Sequence, residues 1–276
     1  MIINFKKYHG AGNDFVIIDN RELNLTPSPQ QVASLCHRQF GVGADGLMLL
    51  ENDASSDFRM RYYNSDGHEA TMCGNGGRCL VMFAYHLGII GEKTKFTGID
   101  GDHEAIVIDP QTVRLKMIDV DDITMDEDHY LINTGSPHLI QFVTDVDHVD
   151  VPYQGRLMRN SFGKQPAGVN VNFAHFVDQS IKIRTYERGV EGETLACGTG
   201  AVATAIAANH WYNEDKSSYT LEARGGTLTV TFQRVATNKY QDIWLQGPAL
   251  KVFEGEIDPA FAGPSDHGSR ADRQAG

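Results

Sequence analysis

Met72-Cys73-Gly74-Asn75-Gly76-Gly77-Arg78 and Ala196-Cys197-Gly198-Thr199-Gly200-Ala201 are two versions of one phrase. In each, a cysteine starts a C-G-x-G run that opens into a nearly unbroken apolar segment. The first continues through Leu80, Val81, Met82, Phe83, Ala84, Tyr85 and Leu87, the second through Val202, Ala203, Ala205, Ile206, Ala207 and Ala208. Glycines ahead of an apolar run of helical length predict a helix N-terminus. Unpaired N–H groups and the helix dipole make such a terminus an anion site, and a cysteine there is expected to be more acidic than a free thiol. One phrase in each half of the chain predicts an internal duplication with one reactive thiol per half.

Outward from the first helix, residues 2–8 and 14–19 predict two strands around a Gly10–Asn13 turn, and residues 29–39 a short helix with Val32, Leu35 and Cys36 on one face. The glycine-rich loop 41–46 leads into a strand at 47–51. No helix follows it, which excludes a dinucleotide fingerprint. Residues 58–63 alternate as a half-buried strand ending at the Asn64-Ser65-Asp66-Gly67 turn, and three short strands fill 93–118. The acidic run 119–128 reads as a solvated connector. The second half repeats the plan, with strands near 129–134, 138–143, 168–176 and 180–187, a helical piece near 150–160, the second cysteine helix at 198–211, and three closing strands. A helix apolar on nearly every side must be buried on nearly every side. The fold class is therefore α+β: two pseudo-symmetric domains, each a mostly antiparallel sheet or barrel wrapped around a central apolar helix, with the cysteine-bearing ends facing one cleft.

With 276 residues, 41% of them hydrophobic, the chain can bury a real core. Its net charge of −12 argues against nucleic acid or an acidic membrane surface as partner. No stretch approaches the ~18 consecutive apolar residues of a membrane span, and the N-terminus lacks the apolar centre of a secretory signal. Four cysteines, at 36, 73, 79 and 197, form no disulfide framework. The pair Cys73 and Cys79 with His68 lacks the second pair that a zinc site needs, so no metal is expected. A reducing, cytoplasmic compartment follows from this cysteine usage. Cys36 and Cys79 lack the C-G-x-G context and are assigned to the core.

Two thiols across one cleft suit a particular reaction. Removing a proton from one face of a tetrahedral carbon and returning one to the other inverts its configuration. Two groups on opposite faces, one thiolate and one thiol, do this without moving. Like charges close together favour the singly deprotonated pair. Sulfurs in reach of one carbon would lie about 7 Å apart. Helix N-termini aimed at the substrate carboxylate would stabilise the charge that develops as the proton leaves.

The chain resembles the diaminopimelate epimerase family. The resemblance runs from Tyr8-His9-Gly10-Ala11-Gly12-Asn13-Asp14-Phe15 through Asn64-Ser65-Asp66-Gly67, Met72-Cys73-Gly74-Asn75-Gly76, Gly135-Ser136-Pro137-His138, Asn170-Val171-Asn172-Phe173 and Glu187-Arg188-Gly189 to Gly247-Pro248-Ala249. It implies interconversion of LL- and meso-diaminopimelate, for lysine and peptidoglycan precursor synthesis, with no cofactor. It implies that Cys73 and Cys197 are the acid/base pair, and that Gly74, Asn75, Gly198 and Thr199 bind the reacting carboxylate. Asn13, Asn64, Asn170 and Arg188 match positions that hold the substrate, chiefly its distal end. His138 and Glu187 match polar groups that orient the ammonium or tune the proton transfers. The resemblance also implies a homodimer and a last strand, after about Pro248, that crosses back to complete the first domain. The domains are then residues 1–122 plus 248–262 and 123–247, and the polar stretch 263–276, low in apolar residues, reads as a disordered tail. Some members carry Gln at the place of Gly46 and Asn at that of Ser136, and the segment from Glu187 to Thr194 is one residue longer than the common form. Two rival readings are a two-cysteine racemase for another amino acid, such as histidine or hydroxyproline, and a redox-sensing binding protein with a switchable Cys73–Cys197 disulfide.

Overall fold

Alternating burial along Ile3–Gly10 makes β1, and Asn13–Asp19 returns antiparallel as β2. Ala11 and Gly12 join them, both at positive φ (+53° and +87°), as a two-residue hairpin turn requires. The computed structural model describes residues 2–126, 128–161 and 168–258; the polar tail at 263–276 lies outside these. After β2 come α1 (Pro29–Cys36), β3 (Gly46–Glu51), β4 (Phe58–Asn64), the two-residue β5 (Glu69–Ala70) and α2 (Gly74–His86). Next are β6 (Lys93–Gly98), β7 (Gly101–Asp109), β8 (Thr112–Lys116) and β9 (Thr124–Asp126). The series then repeats: β10 (His129–Asn133), β11 (Pro137–Phe142), α3 (Val151–Ser161), β12 (Asn170–Val177), β13 (Ser180–Glu187), β14 (Gly192–Thr194) and α4 (Gly198–Tyr212). The chain closes with β15 (Ser218–Ala223), β16 (Gly226–Ala236), β17 (Lys239–Pro248) and β18 (Leu250–Ile257).

The duplication extends to strand polarity. In the first half β1–β2, β3–β4, β6–β7 and β7–β8 pair antiparallel, whereas β2–β3 and β4–β6 pair parallel. In the second, β10–β11, β12–β13, β15–β16 and β16–β17 are antiparallel, and β11–β12 and β13–β15 are parallel. Each parallel pair is spanned by a helix: α1 and α2 in the first half, α3 and α4 in the second. The halves meet where β17 pairs antiparallel with β8. They also exchange edges. β9, which follows the first series, pairs with β10 of the second, and β18, which follows the second, pairs with β1 of the first.

Both cysteine helices are buried as their composition requires. Every residue of α2 from Gly74 to Ala84 is buried, and in α4 only Thr199 interrupts the buried run from Gly198 to Asn209. Side chains of both helices join one continuous apolar core, with Leu80, Met82 and Phe83 from α2 and Val202, Ile206 and Ala207 from α4. Cys79 lies in that core and Cys36 in the smaller cluster beneath α1, as expected. A matching cluster under α3 includes Val151, Phe173 and Tyr186.

The acidic run departs from expectation. It is no solvated connector: Val120 bridges to Tyr240, Val120 and Ile123 are buried, and 124–126 form β9. Those apolar residues, three apart, seat the segment while the acids between them face outward.

The hairpin tip Ala11–Gly12 packs against Leu195 and the Gly225–Gly226 turn. A Cβ added at Gly225 would lie 1.8 Å from the Ala11 carbonyl oxygen, which is backbone and cannot swing away. Gly225→Ala is therefore expected to destabilise the protein by about 1–3 kcal/mol, read as a fall in the urea midpoint at unchanged slope.

Candidate active site at the paired helix starts

Cys73 and Cys197 are the N-cap residues of α2 and α4, both in extended backbone conformation. The first intrahelical bonds run from Gly77 N–H to Cys73 C=O (2.7 Å) and from Ala201 N–H to Cys197 C=O (2.9 Å). The N–H groups of Gly74, Asn75 and Gly76, and of Gly198, Thr199 and Gly200, thus have no partner within their own helices. The two starts abut. A Cβ on Gly74 would lie 3.8 Å from Gly198 Cα, and one on Gly198 would lie 3.7 Å from Gly74 Cα and 2.8 Å from Leu245 Cδ2. Glycine at both positions is what lets the backbones meet over Leu245.

Around Cys73, the Asn13 amide has a fixed orientation. Its Nδ2 donates to Asp45 Oδ2 (2.5 Å), which turns Oδ1 toward the Cys73 sulfur (3.6 Å) and the Asn75 amide (3.5 Å). Asp45 is held in turn by Arg38, which also bonds Asp14. Asn13 therefore stands beside the thiol. Asn75 reaches across the halves, donating to the Ala196 carbonyl (3.0 Å), and accepts from Arg78 (2.8 Å).

Cys197 faces a different set. Thr199 Oγ1 lies 3.5 Å from its sulfur and 2.9 Å from His138 Nε2. Asn172 donates to the Leu139 carbonyl and accepts from Thr185, so its Nδ2 also donates to His138 Nδ1 (3.0 Å). That fixes the neutral Nε2–H tautomer, which donates to Thr199 and frees the threonine hydroxyl to donate to sulfur. Burial drives the His138 pKa down to about 3, aided by the positive charge of Arg188. His138 thus reaches the thiol only through Thr199. Gly200 is explained by the same packing, since a Cβ there would lie 2.4 Å from Asn172 Oδ1.

Glu187, at the end of β13, accepts from Thr194 (2.5 Å) and is hydrogen-bonded to Cys197. Burial raises its pKa. The longer segment after it, with Gly189 and Glu191 at positive φ, leaves Glu187 on the thiol. Asn170 donates to Ser136 Oγ (2.8 Å) and accepts from the Arg188 backbone N–H (2.8 Å). Asn64 is exposed at the end of β4, opposite Gly46. No side chain fits at Gly46, because a Cβ would lie 2.6 Å from the ring of buried Tyr62.

Expected acidity is reversed for both thiols. Burial pushes Cys73 up, with the N–H groups of Gly76 and Asn75 and the charge of Arg78 pulling back and Glu187 adding to the rise. Burial pushes Cys197 up further, and Glu187 adds to this, against the pull of Thr199 and the Gly200 N–H. Desolvation of a thiolate outweighs one turn of helix N–H groups.

Sequence reasoning missed Asn172, Thr185, Asp45 and Arg78. A signal existed for two of them: Asn170 and Asn172 share one strand face, and Arg78 is the one charged residue in an otherwise apolar helix. Asp45 and Thr185 carried none. Among the described residues, no cluster of His, Cys, Asp and Glu could hold a metal ion, and no helix is long and apolar enough to cross a membrane.

Comparison with known proteins settles the family. The model of the family described as diaminopimelate epimerase matches residues 5–118 and 130–251. The chain belongs to the diaminopimelate epimerase family. It is 48% identical over 254 residues to the diaminopimelate epimerase of Flavobacterium psychrophilum, covering 91% of this chain and 98% of that one. It is 41% identical to the diaminopimelate epimerase of Chlorobaculum tepidum, covering 90% and 98%. Its fold is shared by a phenazine biosynthesis protein of the PhzF family from Bacillus anthracis (TM-score 0.74, 15% identity, 93% of this chain and 99% of that one). A hydroxyproline epimerase from Agrobacterium vitis shares it too (TM-score 0.67, 15% identity, 95% of each).

The depressed His138 gives a pH signature. Unfolded, the ring takes a proton below about 6.5; folded, it stays neutral down to about 3. Its contribution is therefore intact above pH 6.5 and lost as pH falls through that window. Between pH 7 and 4.5 the wild type is expected to lose about 2–3 kcal/mol more stability than His138→Gln, measured by urea unfolding of both proteins at both pH values.

Proposed function

We propose that this chain interconverts LL- and meso-2,6-diaminopimelate, moving the α-proton between Cys73 and Cys197 without a cofactor. The observation that carries the reading is the contact of two thiol-capped helix starts at Gly74 and Gly198. The helix-start N–H groups of Gly74, Asn75, Gly198 and Thr199 would hold a carboxylate at that contact point. A substrate α-carboxylate bound at that point gains charge as its α-carbon loses a proton, so fixed donors stabilise the transition state more than the ground state. The sulfurs at the two caps then flank the carbon, one removing a proton as thiolate and the other delivering one as thiol. No proton is lost overall; the pair finishes with its protonation reversed.

Raised thiol pKa values fit this role. A thiolate that is costly to form is a strong base toward a weakly acidic α-proton, provided the site supplies local help at the moment it forms. For Cys197 that help is the Thr199 hydroxyl, aimed by neutral His138, and Glu187, which can hold the thiol proton. Asn13 orients Cys73, and Asn64, Asn170 and Arg188 bind the distal amino-acid end. Among the described residues the Arg188 guanidinium has no carboxylate within ion-pair distance, so it is open to a substrate carboxylate. The reading includes a cytoplasmic homodimer. Four free cysteines support a reducing compartment.

Cys73→Ser and Cys197→Ser are each expected to lower kcat by at least about a thousandfold, because a hydroxyl does not ionise in reach of neutral pH. Coupled assay of both directions, with α-deuterium incorporation in heavy water, checks this. Full-rate turnover by either variant, or exchange only with a different amino acid, would defeat the reading.

A further inference from the structure

Among the described residues, Arg78 is the largest wholly buried side chain. Among the described residues its hydrogen-bonding partners are all neutral. Nη1 donates to the Gly74 carbonyl (3.0 Å), Nη2 to Asn75 Oδ1 (2.8 Å) and Nε to the Pro248 carbonyl (3.4 Å). A Cβ on Gly247 would lie 3.1 Å from Nε, so glycine in β17 makes room for the guanidinium between the halves. Burying a cation against neutral acceptors alone is costly. Among the described residues the fold tolerates this cost at one place, one helical turn behind Cys73. The matching residue five positions after Cys197 is Val202, also buried.

The asymmetry follows the difference between the two thiols. If the proposed proton exchange holds, on which this inference rests, each sulfur must serve as thiolate in one direction. Cys197 has the Thr199 hydroxyl for that state. At the corresponding place beside Cys73 stands the Asn13 carbonyl oxygen, an acceptor that favours S–H. We propose that Arg78 is a positioning residue for the reaction: through Asn75 it locks the Cys73 helix start to the Ala196 backbone, and its buried charge steadies Cys73 when Cys73 is the anion. The two-bond path Arg78–Asn75–Ala196 ends at the residue preceding Cys197, so one guanidinium sets the spacing of both half-sites. Charged and titratable groups facing Cys73 from the surrounding elements are Glu187 on β13, Tyr62 on β4 and Cys197 on α4. Each opposes its ionisation. Arg78 is a cation that favours it, acting beside the Gly76 and Asn75 N–H groups.

The test compares wild type with Arg78→Met and Arg78→Lys. The pH profile of iodoacetamide alkylation is read separately for Cys73 and Cys197 by peptide mass spectrometry, and kcat and KM are measured in both directions. Arg78→Met is expected to raise the Cys73 midpoint by about one pH unit or more and leave that of Cys197 in place. Its kcat is expected to fall about a hundredfold, with the smaller part of the loss in KM. Arg78→Lys keeps the charge but not the three-way fork, so its Cys73 midpoint is expected to stay while kcat drops about tenfold. An Arg78→Met enzyme with unmoved midpoints and near-wild-type kcat would overturn the proposal. Should Arg78→Met fail to fold, wild-type kcat in Arg78→Lys would overturn it alone. Absence of diaminopimelate turnover in the wild type would sink the functional reading instead, and the alkylation profiles would still judge the charge of Arg78.

Discussion

The architecture depends on bringing two helix N-termini into contact inside an apolar core. Such ends carry unpaired donors and like partial charges, and packing them head to head opposes both desolvation and electrostatics. The chain meets this with glycine at Gly74 and Gly198, Leu245 as the floor beneath both, and side chains that cross from one helix start to the other half. An anion that binds between the ends satisfies what folding leaves unsatisfied. The contact thus leaves a place whose electrostatics suit an anion.

The same burial accounts for the chemistry of the sulfurs. Exposed helix caps would lower a thiol pKa, but Cys197 is buried and Cys73 half-buried, and the hydration a thiolate loses there raises both. What remains is a set of local corrections, different on the two sides: a hydroxyl chain from Asn172 through His138 and Thr199 at Cys197, and an amide and a buried guanidinium at Cys73. Pseudo-symmetry therefore holds for the backbone and fails for the environment of the thiols. Inversion of one carbon that runs in both directions between two different stereoisomers has no need of identical partners.

Much of this was legible in the residues. The duplicated C-G-x-G phrases with their apolar tails specify two buried helices and hence two domains, because that pattern leaves no polar face to turn to water. The strands followed from alternation. The acidity of the thiols was not legible: helix-start context is local and visible in sequence, whereas desolvation is set by residues from β3, β4 and β17 that only the fold brings near. The acidic segment was misread because charge dominates its composition, while Val120 and Ile123 decide its path. Resemblance alone marks Asn13 as a substrate-holding residue, and its bond to Asp45, which sets it beside Cys73, comes only with the fold. Nothing in a linear pattern reveals a partner so far along the chain.

The traded edge strands have a consequence for synthesis. Ile3 pairs with Ile257 and His9 with Leu250, so this edge of β1 stays open until β18, far later in the sequence, has been made. Until then β1 offers a bare edge open to wrong pairing, and closure joins segments of very large sequence separation, which slows folding. The β1 edge is thus the part of the sheet that closes only when sequence-distant β18 docks.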